Sequence, residues 1–116
     1  MEYDITKNIS IMRRLSPSFS LRIKGDSMYP FLKDTELITI VTIDPILIRI
    51  GDVIVYRQFD SHMTVHRVID IITMDDNSLK FVTKGDNNPG RDRYEIVSSQ
   101  ILGKVQKANW FDVFKT

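Results

Sequence analysis

The sequence predicts a mainly β fold, compact and antiparallel, with a short helix near its N-terminus. From Phe19 onward, short runs of β-branched and aromatic residues stand between turn signals. Strands do not alternate with helical segments, and this disfavours a parallel sheet. Residues 3–15 are the one helix candidate of any length, because Ile5, Ile9 and Met12 recur at helical spacing.

The predicted strands follow this helix in order. Pro17 ends the helix, since the residue before a proline avoids helical backbone angles. We place strands near residues 19–24, 36–42, 52–58, 63–73, 79–84 and 101–107. Residues 46–50 are predicted to form either a strand at a loop edge or a packed bend. The chain therefore divides into an N-terminal segment, residues 1–18, and a β domain, residues 19–116.

Two of these strands are predicted to form a hairpin around the turn at residues 75–78, whose Asp, Asn and Ser residues favour turn conformations. The antiparallel arms would bring His66, at one end of the first arm, close to the exit of the second arm at Gly85. His66 and Asp86 are therefore expected to be neighbours in space.

Composition excludes several classes of protein. The chain has 116 residues, 42% of them hydrophobic, which is enough for one domain with its own core. Lys plus Arg number 16 and Asp plus Glu number 15, so the net charge is +1 and neither a nucleic-acid partner nor disorder is expected. The absence of cysteine excludes disulfide scaffolds, zinc ribbons and thiol nucleophiles.

No segment is typical of a membrane span. A spanning helix needs about 20 mostly apolar residues, and the most apolar stretch, residues 37–56, is interrupted by Asp44, Pro45, Arg49 and Asp52. The N-terminus is not a secretory signal. We therefore expect a cytoplasmic protein. Peripheral membrane contact is kept open, because the C-terminal aromatic residues can either dock on the core or touch a bilayer; these are Trp110, Phe111 and Phe114.

Ser27, His66 and two aspartates are the candidates for chemistry. Gly25 permits a sharp bend and Pro30 fixes its exit, so Ser27 can present its hydroxyl and its own N–H together, as a nucleophile and oxyanion donor require. His66 lies among apolar neighbours and is a general-base candidate. Each residue taken alone is more often a turn serine or a core histidine.

Either Asp86 or Asp92 could orient this histidine, and the alternative is an ordinary loop carboxylate. The same loop offers oxygen atoms to calcium, but it lacks EF-hand spacing. His62 and His66 could share a strand face and bind zinc, but no third ligand follows at a recognisable spacing. We expect no metal and no cofactor.

Together these stretches resemble the boxes of the signal peptidase I superfamily, in the same order along the chain: GDSMYP at 25–30, DTELITI at 34–40, GDVIVYR at 51–57, VHRVI at 65–69, FVTKGDNN at 81–88 with Asp92, and ILGKV at 101–105. Histidine at position 66, together with the GDNN motif, resembles the archaeal and endoplasmic-reticulum branch. Other branches place lysine there. The resemblance implies the compact β fold shared by signal peptidases and repressor proteases.

The resemblance also implies a serine endopeptidase that cleaves a leader or signal peptide after small residues. By position, Ser27 would be the nucleophile and His66 the general base, with Asp86 and Asp92 as candidate orienting acids. Substrate contacts are expected at Gly25, Met28 and Pro30. The substrate, a peptide or preprotein, would bind as an added strand.

The sequence departs from this family before the serine box. Family members carry a membrane helix there, whereas residues 8–20 include Arg13, Arg14 and Pro17. Two alternatives stay open. One is a repressor-like domain for dimerisation and self-cleavage. Such domains cleave themselves at an Ala-Gly or Cys-Gly bond, so this alternative is disfavoured because Ala108 is followed by Asn109 rather than glycine. The other is a catalytically silent peptide-binding module.

Overall fold

The protein is described by a computed structural model over residues 17–107. The predicted helix at residues 3–15 and the C-terminal aromatic residues lie outside the described part of the chain. Within residues 17–107, no helix has the length and apolar character needed to cross a membrane.

The described chain forms one antiparallel sheet. Its strands are β1 (Ser18–Arg22), β2 (Leu37–Val41), β3 (Val53–Arg57), β4 (Met63–Thr73), β5 (Leu79–Lys84), β6 (Ile96–Val97) and β7 (Ile101–Gln106). Their spatial order is β1-β2-β7-β3-β4-β5-β6. The predicted mainly β, antiparallel class is confirmed, and each of the predicted strands lies within two residues of an observed one.

The structure adds short elements that the sequence pattern did not define. Pro45–Leu47 forms a 3-10 turn capped by Asp44, whose carboxylate accepts a hydrogen bond from the N–H of Ile46 at 3.1 Å. This resolves residues 46–50 in favour of the bend. Strand β6 has only two residues, and a second 3-10 turn at Ser98–Gln100 leads directly into β7.

Strand β3 is the central strand of the fold and carries a core cluster on each face. Side chains alternate between the faces of a strand, and here Val53 and Val55 pack into one cluster while Ile54 and Tyr56 pack into the other. The first cluster includes residues of β2 and β7, and the second includes residues of β4, β5 and β6. All four residues are buried, so β3 lies firmly packed beside its neighbour β4.

Strand β4 is only half covered by β5. Its residues Met63 to Arg67 pair with β3, whereas its pairing with β5 runs from Arg67 to Thr73. Arg67 lies opposite Lys84, so His66 reaches the point where β5 ends, as the predicted hairpin requires. On the side away from β3, residues 63–66 therefore have no partner strand within the described chain.

Candidate active site

A tight turn after β1 presents Ser27. Gly25 adopts a φ of +88°, which favours glycine, and its N–H donates to the Asp34 carboxylate at 2.7 Å. The N–H of Tyr29 then donates to the carbonyl of Asp26 at 3.0 Å. Within residues 17–107, no acceptor takes a hydrogen bond from the Ser27 N–H.

Met28 and Pro30, the other two residues expected to contact substrate, differ in their exposure to solvent. Met28 is only 2% exposed and packs in the core cluster shared by β2, β3 and β7. Its sulfur accepts a hydrogen bond from the N–H of Asp86 at 3.4 Å. Pro30 is exposed. The structure therefore places Met28 in the core and Pro30 at the surface.

His66 bridges the serine and an acid. It lies on β4 opposite Ile54, and its side chain is 12% exposed. Its Nε2 is 3.2 Å from the Ser27 Oγ, and its Nδ1 is 2.6 Å from Oδ2 of Asp92. Both ring nitrogens are thus engaged, one by the hydroxyl and one by the carboxylate.

The Asp92 carboxylate accepts three hydrogen bonds on one oxygen. Besides His66, Thr83 Oγ1 donates to Oδ2 at 2.7 Å and the Tyr56 hydroxyl donates to it at 3.0 Å. Burial of this carboxyl acts to raise the pKa of Asp92. The hydrogen bonds from His66, Thr83 and Tyr56 outweigh that effect, and its pKa lies below the ordinary value. Asp92 is therefore ionised at neutral pH.

Asp86, the other acid expected near the base, contacts a different partner. Arg67 donates to both of its carboxylate oxygens, each at 2.8 Å. The hydrogen bonds from Arg67 hold the pKa of the Asp86 carboxyl below its usual range. The Arg67 guanidinium also lies 4.7 Å from the ring centroid of Phe31. Of the two aspartates, only Asp92 contacts the imidazole.

The loop after β5 is bonded directly to the serine turn. The N–H of Asn87 donates to the carbonyl of Ser27 at 2.8 Å, and its side-chain amide donates to the carbonyl of Asp26 at 3.1 Å. The N–H of Asp92 donates to the carbonyl of Thr83 at 2.7 Å. One loop therefore holds both Ser27 and Asp92 in place.

The histidine pair that could have bound zinc is not brought together. His62 is exposed, and its Nδ1 is 2.7 Å from the Asp60 carboxylate. Among residues 17–107, no three His, Asp or Glu side chains are grouped as ligands for a metal ion.

Sequence reasoning missed Tyr56, Thr83 and Arg67. Tyr56 and Thr83 look like ordinary strand residues, although a tyrosine and a threonine within aliphatic runs are a weak signal of a buried polar contact. Arg67 follows His66 directly, yet nothing in the sequence pattern distinguishes it from the other arginines and lysines.

These residues lie in a chain that matches the protein-family model described as Peptidase S24-like over residues 2–106. The chain belongs to the Peptidase S24-like family. No curated protein matches the chain significantly. The family match supports the broad superfamily of signal peptidases and repressor proteases. The Peptidase S24-like family also includes non-catalytic members, so activity has to be argued from the site.

Proposed function

We propose that this Peptidase S24-like protein is a serine endopeptidase of the signal peptidase type, from the branch that uses histidine as its base. Its substrate would be an extended leader or signal peptide, cleaved after small residues. The observation that carries the proposal is the continuous chain from Ser27 Oγ through His66 to Asp92, with donor–acceptor distances of 3.2 and 2.6 Å.

The ionised acid determines the roles of the two ring nitrogens. An ionised Asp92 can only accept, so the proton of His66 lies on Nδ1 and donates to Oδ2. The Nε2 lone pair is then free to accept the Ser27 hydroxyl proton. This is the arrangement that activates a serine nucleophile.

The proposed reaction is acyl transfer to Ser27 and then to water. Ser27 Oγ bonds to the scissile carbonyl carbon while its proton passes to Nε2 of His66. The carbon–nitrogen bond then breaks, and the leaving amine takes that proton. Water attacks the resulting ester, loses a proton to Nε2 and releases the carboxyl product as Ser27 recovers its own proton. Asp92 remains ionised and stabilises the imidazolium throughout.

The serine turn offers one donor for the oxyanion. The Ser27 N–H has no acceptor within residues 17–107 and comes from the same residue as the attacking oxygen. Such an N–H can point at the position where negative charge develops.

Two uncovered strand edges lead to this site and suit an extended substrate. Within residues 17–107, no strand pairs with residues 63–66 of β4 on the side away from β3, and this stretch ends at His66. Strand β1 pairs only with β2 within the described chain, and the turn that follows it carries Ser27. A peptide can add to such edges through its backbone hydrogen bonds.

The proposed preference for small residues is what the resemblance to signal peptidases implies. Met28, which follows Ser27, is buried, and Val65, which precedes His66, packs against the same core cluster. The residues next to Ser27 and His66 are therefore packed into the core, which supports a site for small side chains. We propose alanine one and three places before the cut, in a preprotein or leader peptide encountered in the cytoplasm or by peripheral contact with a membrane.

Acylation of Ser27 by a fluorophosphonate probe tests the proposal, together with cleavage of a peptide library that contains Ala-x-Ala sites. The wild type should be labelled at Ser27, located by mass spectrometry, and should cleave the library. Ser27→Ala and His66→Ala should lose both reactions while keeping the thermal unfolding temperature.

Matched controls are present in the chain. His62→Ala removes an exposed histidine four residues from the base, and Ser99→Ala removes an exposed serine whose hydroxyl bonds to neither Ser27, His66 nor Asp92. Both variants should retain labelling and cleavage. Cleavage that persists in Ser27→Ala would overturn the assignment, and a wild type that neither reacts nor cleaves would identify a silent binding module instead.

A further inference from the structure

We infer that Tyr56 and Thr83 are positioning residues that hold the Asp92 carboxylate against His66 and set how strongly it attracts the imidazolium. This inference rests on the proposed function only for its kinetic consequence. Its structural content concerns the acid and the base alone.

The three donors to Asp92 come from three different parts of the sheet. Tyr56 lies on β3, Thr83 on β5 and His66 on β4, and all three donate to Oδ2. The Tyr56 hydroxyl and Thr83 Oγ1 are themselves 3.3 Å apart. The carboxylate is therefore fixed from the strands on both sides of the base, although Asp92 itself lies in a loop.

Burial keeps both hydroxyls away from water, so their hydrogen bonds are made within the protein. Thr83 has no exposed surface and Tyr56 is 1% exposed. Burial raises the pKa of Tyr56 well above its ordinary value, so its hydroxyl keeps the proton that it donates. A buried hydroxyl without a partner is costly, and here each one is satisfied by the same carboxylate oxygen.

The hydroxyls of Tyr56 and Thr83 reduce the negative charge on the Asp92 carboxylate oxygen to which they donate. Each donor withdraws negative charge from the oxygen that faces Nδ1, so its removal makes the carboxylate a stronger acceptor for an imidazolium. The other titratable or charged groups around the base belong to β4, the end of β5 and the following loop. They are Arg67, Lys84 and Asp86. None of them donates to Asp92 within the described residues, so removal of the Tyr56 hydroxyl leaves their charges in place and takes away its contacts with Asp92 and Thr83.

Titration of the two histidine rings by NMR tests this inference in the full chain without requiring turnover. In Tyr56→Phe, the pH at which the His66 ring signals move should rise by several tenths of a pH unit to about one unit, as expected for the loss of one hydrogen bond. The acidic limb of kcat/KM should move to higher pH with it, and kcat/KM at neutral pH should fall about two- to tenfold.

The control variants separate this effect from a general disturbance. Tyr94→Phe removes an exposed tyrosine hydroxyl that does not contact Asp92, and it should leave the His66 titration unchanged. The signals of His62, which pairs with Asp60, should titrate alike in every variant. Thr83→Val should act like Tyr56→Phe, and Thr83→Ser should restore the wild-type titration. The Thr83 pair carries the test if Tyr56→Phe does not fold.

The outcomes distinguish this inference from the proposed function. A folded Tyr56→Phe protein whose His66 titration matches the wild type would overturn the positioning role, whatever its activity. A shifted titration in a protein that neither cleaves peptides nor reacts with the fluorophosphonate would sustain the positioning role and remove the proposed function.

Discussion

Arg67 donates from two guanidinium nitrogens to both carboxylate oxygens of Asp86, each at 2.8 Å. Arg67 follows the base directly on β4, and Asp86 follows the end of β5. The pair therefore fastens the serine-contacting loop to the strand that carries His66. Asp92, six residues further along the same loop, contacts the imidazole of His66 instead.

The two aspartates should therefore respond differently to loss of charge. In Asp92→Asn the amide can donate toward Nδ1, which forces the proton of His66 onto Nε2 and removes the acceptor for Ser27. We expect kcat to fall about a thousand- to ten-thousand-fold. Asp86→Asn leaves the contact between His66 and Asp92 in place and should lower kcat about tenfold or less. Steady-state kinetics on an Ala-x-Ala peptide compares them, and equal losses would contradict the division of roles.

The pair between Arg67 and Asp86 should also appear in the pH dependence of stability. The pKa of Asp86 is lowered in the folded state, so its contribution is complete above the unfolded value of about 3.9 and is lost as pH falls through the folded value. The two side chains are 29% and 22% exposed. We expect Asp86→Asn to cost about 1–2 kcal/mol of unfolding free energy at pH 7.

Urea unfolding of the wild type and Asp86→Asn at several pH values measures this contribution. The difference between the two proteins should shrink below about pH 4, and other carboxyls common to both proteins cancel in it. Arg67→Gln and the double variant complete a double-mutant cycle, which isolates the energy of this pair. The cycle is needed because Arg67→Gln also removes the hydrogen bond from Arg67 to the carbonyl of Gly51 at 2.7 Å. A difference that stays constant down to acid pH would assign the cost to packing instead.

The strands were predictable because each one carries its own signal. Alternation and turn residues define β4 and β5 locally, and the turn between them sets the hairpin register as far as Asp70 and Val82. Beyond that point a bulge between Val68 and Asp70 shifts the register by one residue, which the turn does not predict. Strand β6 has two residues, too few to show alternation, and it is held by pairing with Lys80 and Phe81. Elements of that kind depend on tertiary contacts, which no local pattern reports.

The candidate site was predictable in its residue types but not in its pairings. Ser27, His66 and the two aspartates could be named from the motifs, whereas the choice of acid depends on the path of one loop. That path is set by long-range backbone bonds, such as Asn87 to the carbonyl of Ser27 and Asp92 to that of Thr83. Tyr56 was read as a strand residue because burial hides the polar end of an aromatic side chain from sequence analysis.

Gly85 should be required for the position of the nucleophile. A Cβ there would lie 2.8 Å from the carbonyl oxygen of Ser27 and 2.6 Å from the amide nitrogen of Asn88. The Asn88 side chain can rotate away, but the Ser27 carbonyl is backbone. We expect Gly85→Ala to move the serine turn and to lower kcat/KM up to about a hundredfold.

Gly90→Ala is the matched control for this substitution. It lies in the same loop, a Cβ there would meet no atom within 4 Å, and its φ is outside the left-handed region. We expect its unfolding free energy to change by no more than about 0.5 kcal/mol and its fluorophosphonate labelling to match the wild type. If Gly85→Ala is labelled as fast as Gly90→Ala, the close approach to Ser27 does not position the nucleophile.

Backbone recognition along β4 should give a substrate response with a period of two. Successive backbone N–H groups of an added strand point alternately toward and away from its neighbour, and residues 63–66 offer an edge that no strand of the described part of the chain covers. N-methylation of an Ala-x-Ala peptide, one position at a time before the cut, should raise KM strongly at every second residue and weakly between. A scan without alternation, or one in which only the residues at the cut matter, would exclude strand addition as the mode of binding. The Ser27→Ala protein provides the matching equilibrium measurement, since it should bind the same peptides without cleaving them and show the same alternation in Kd.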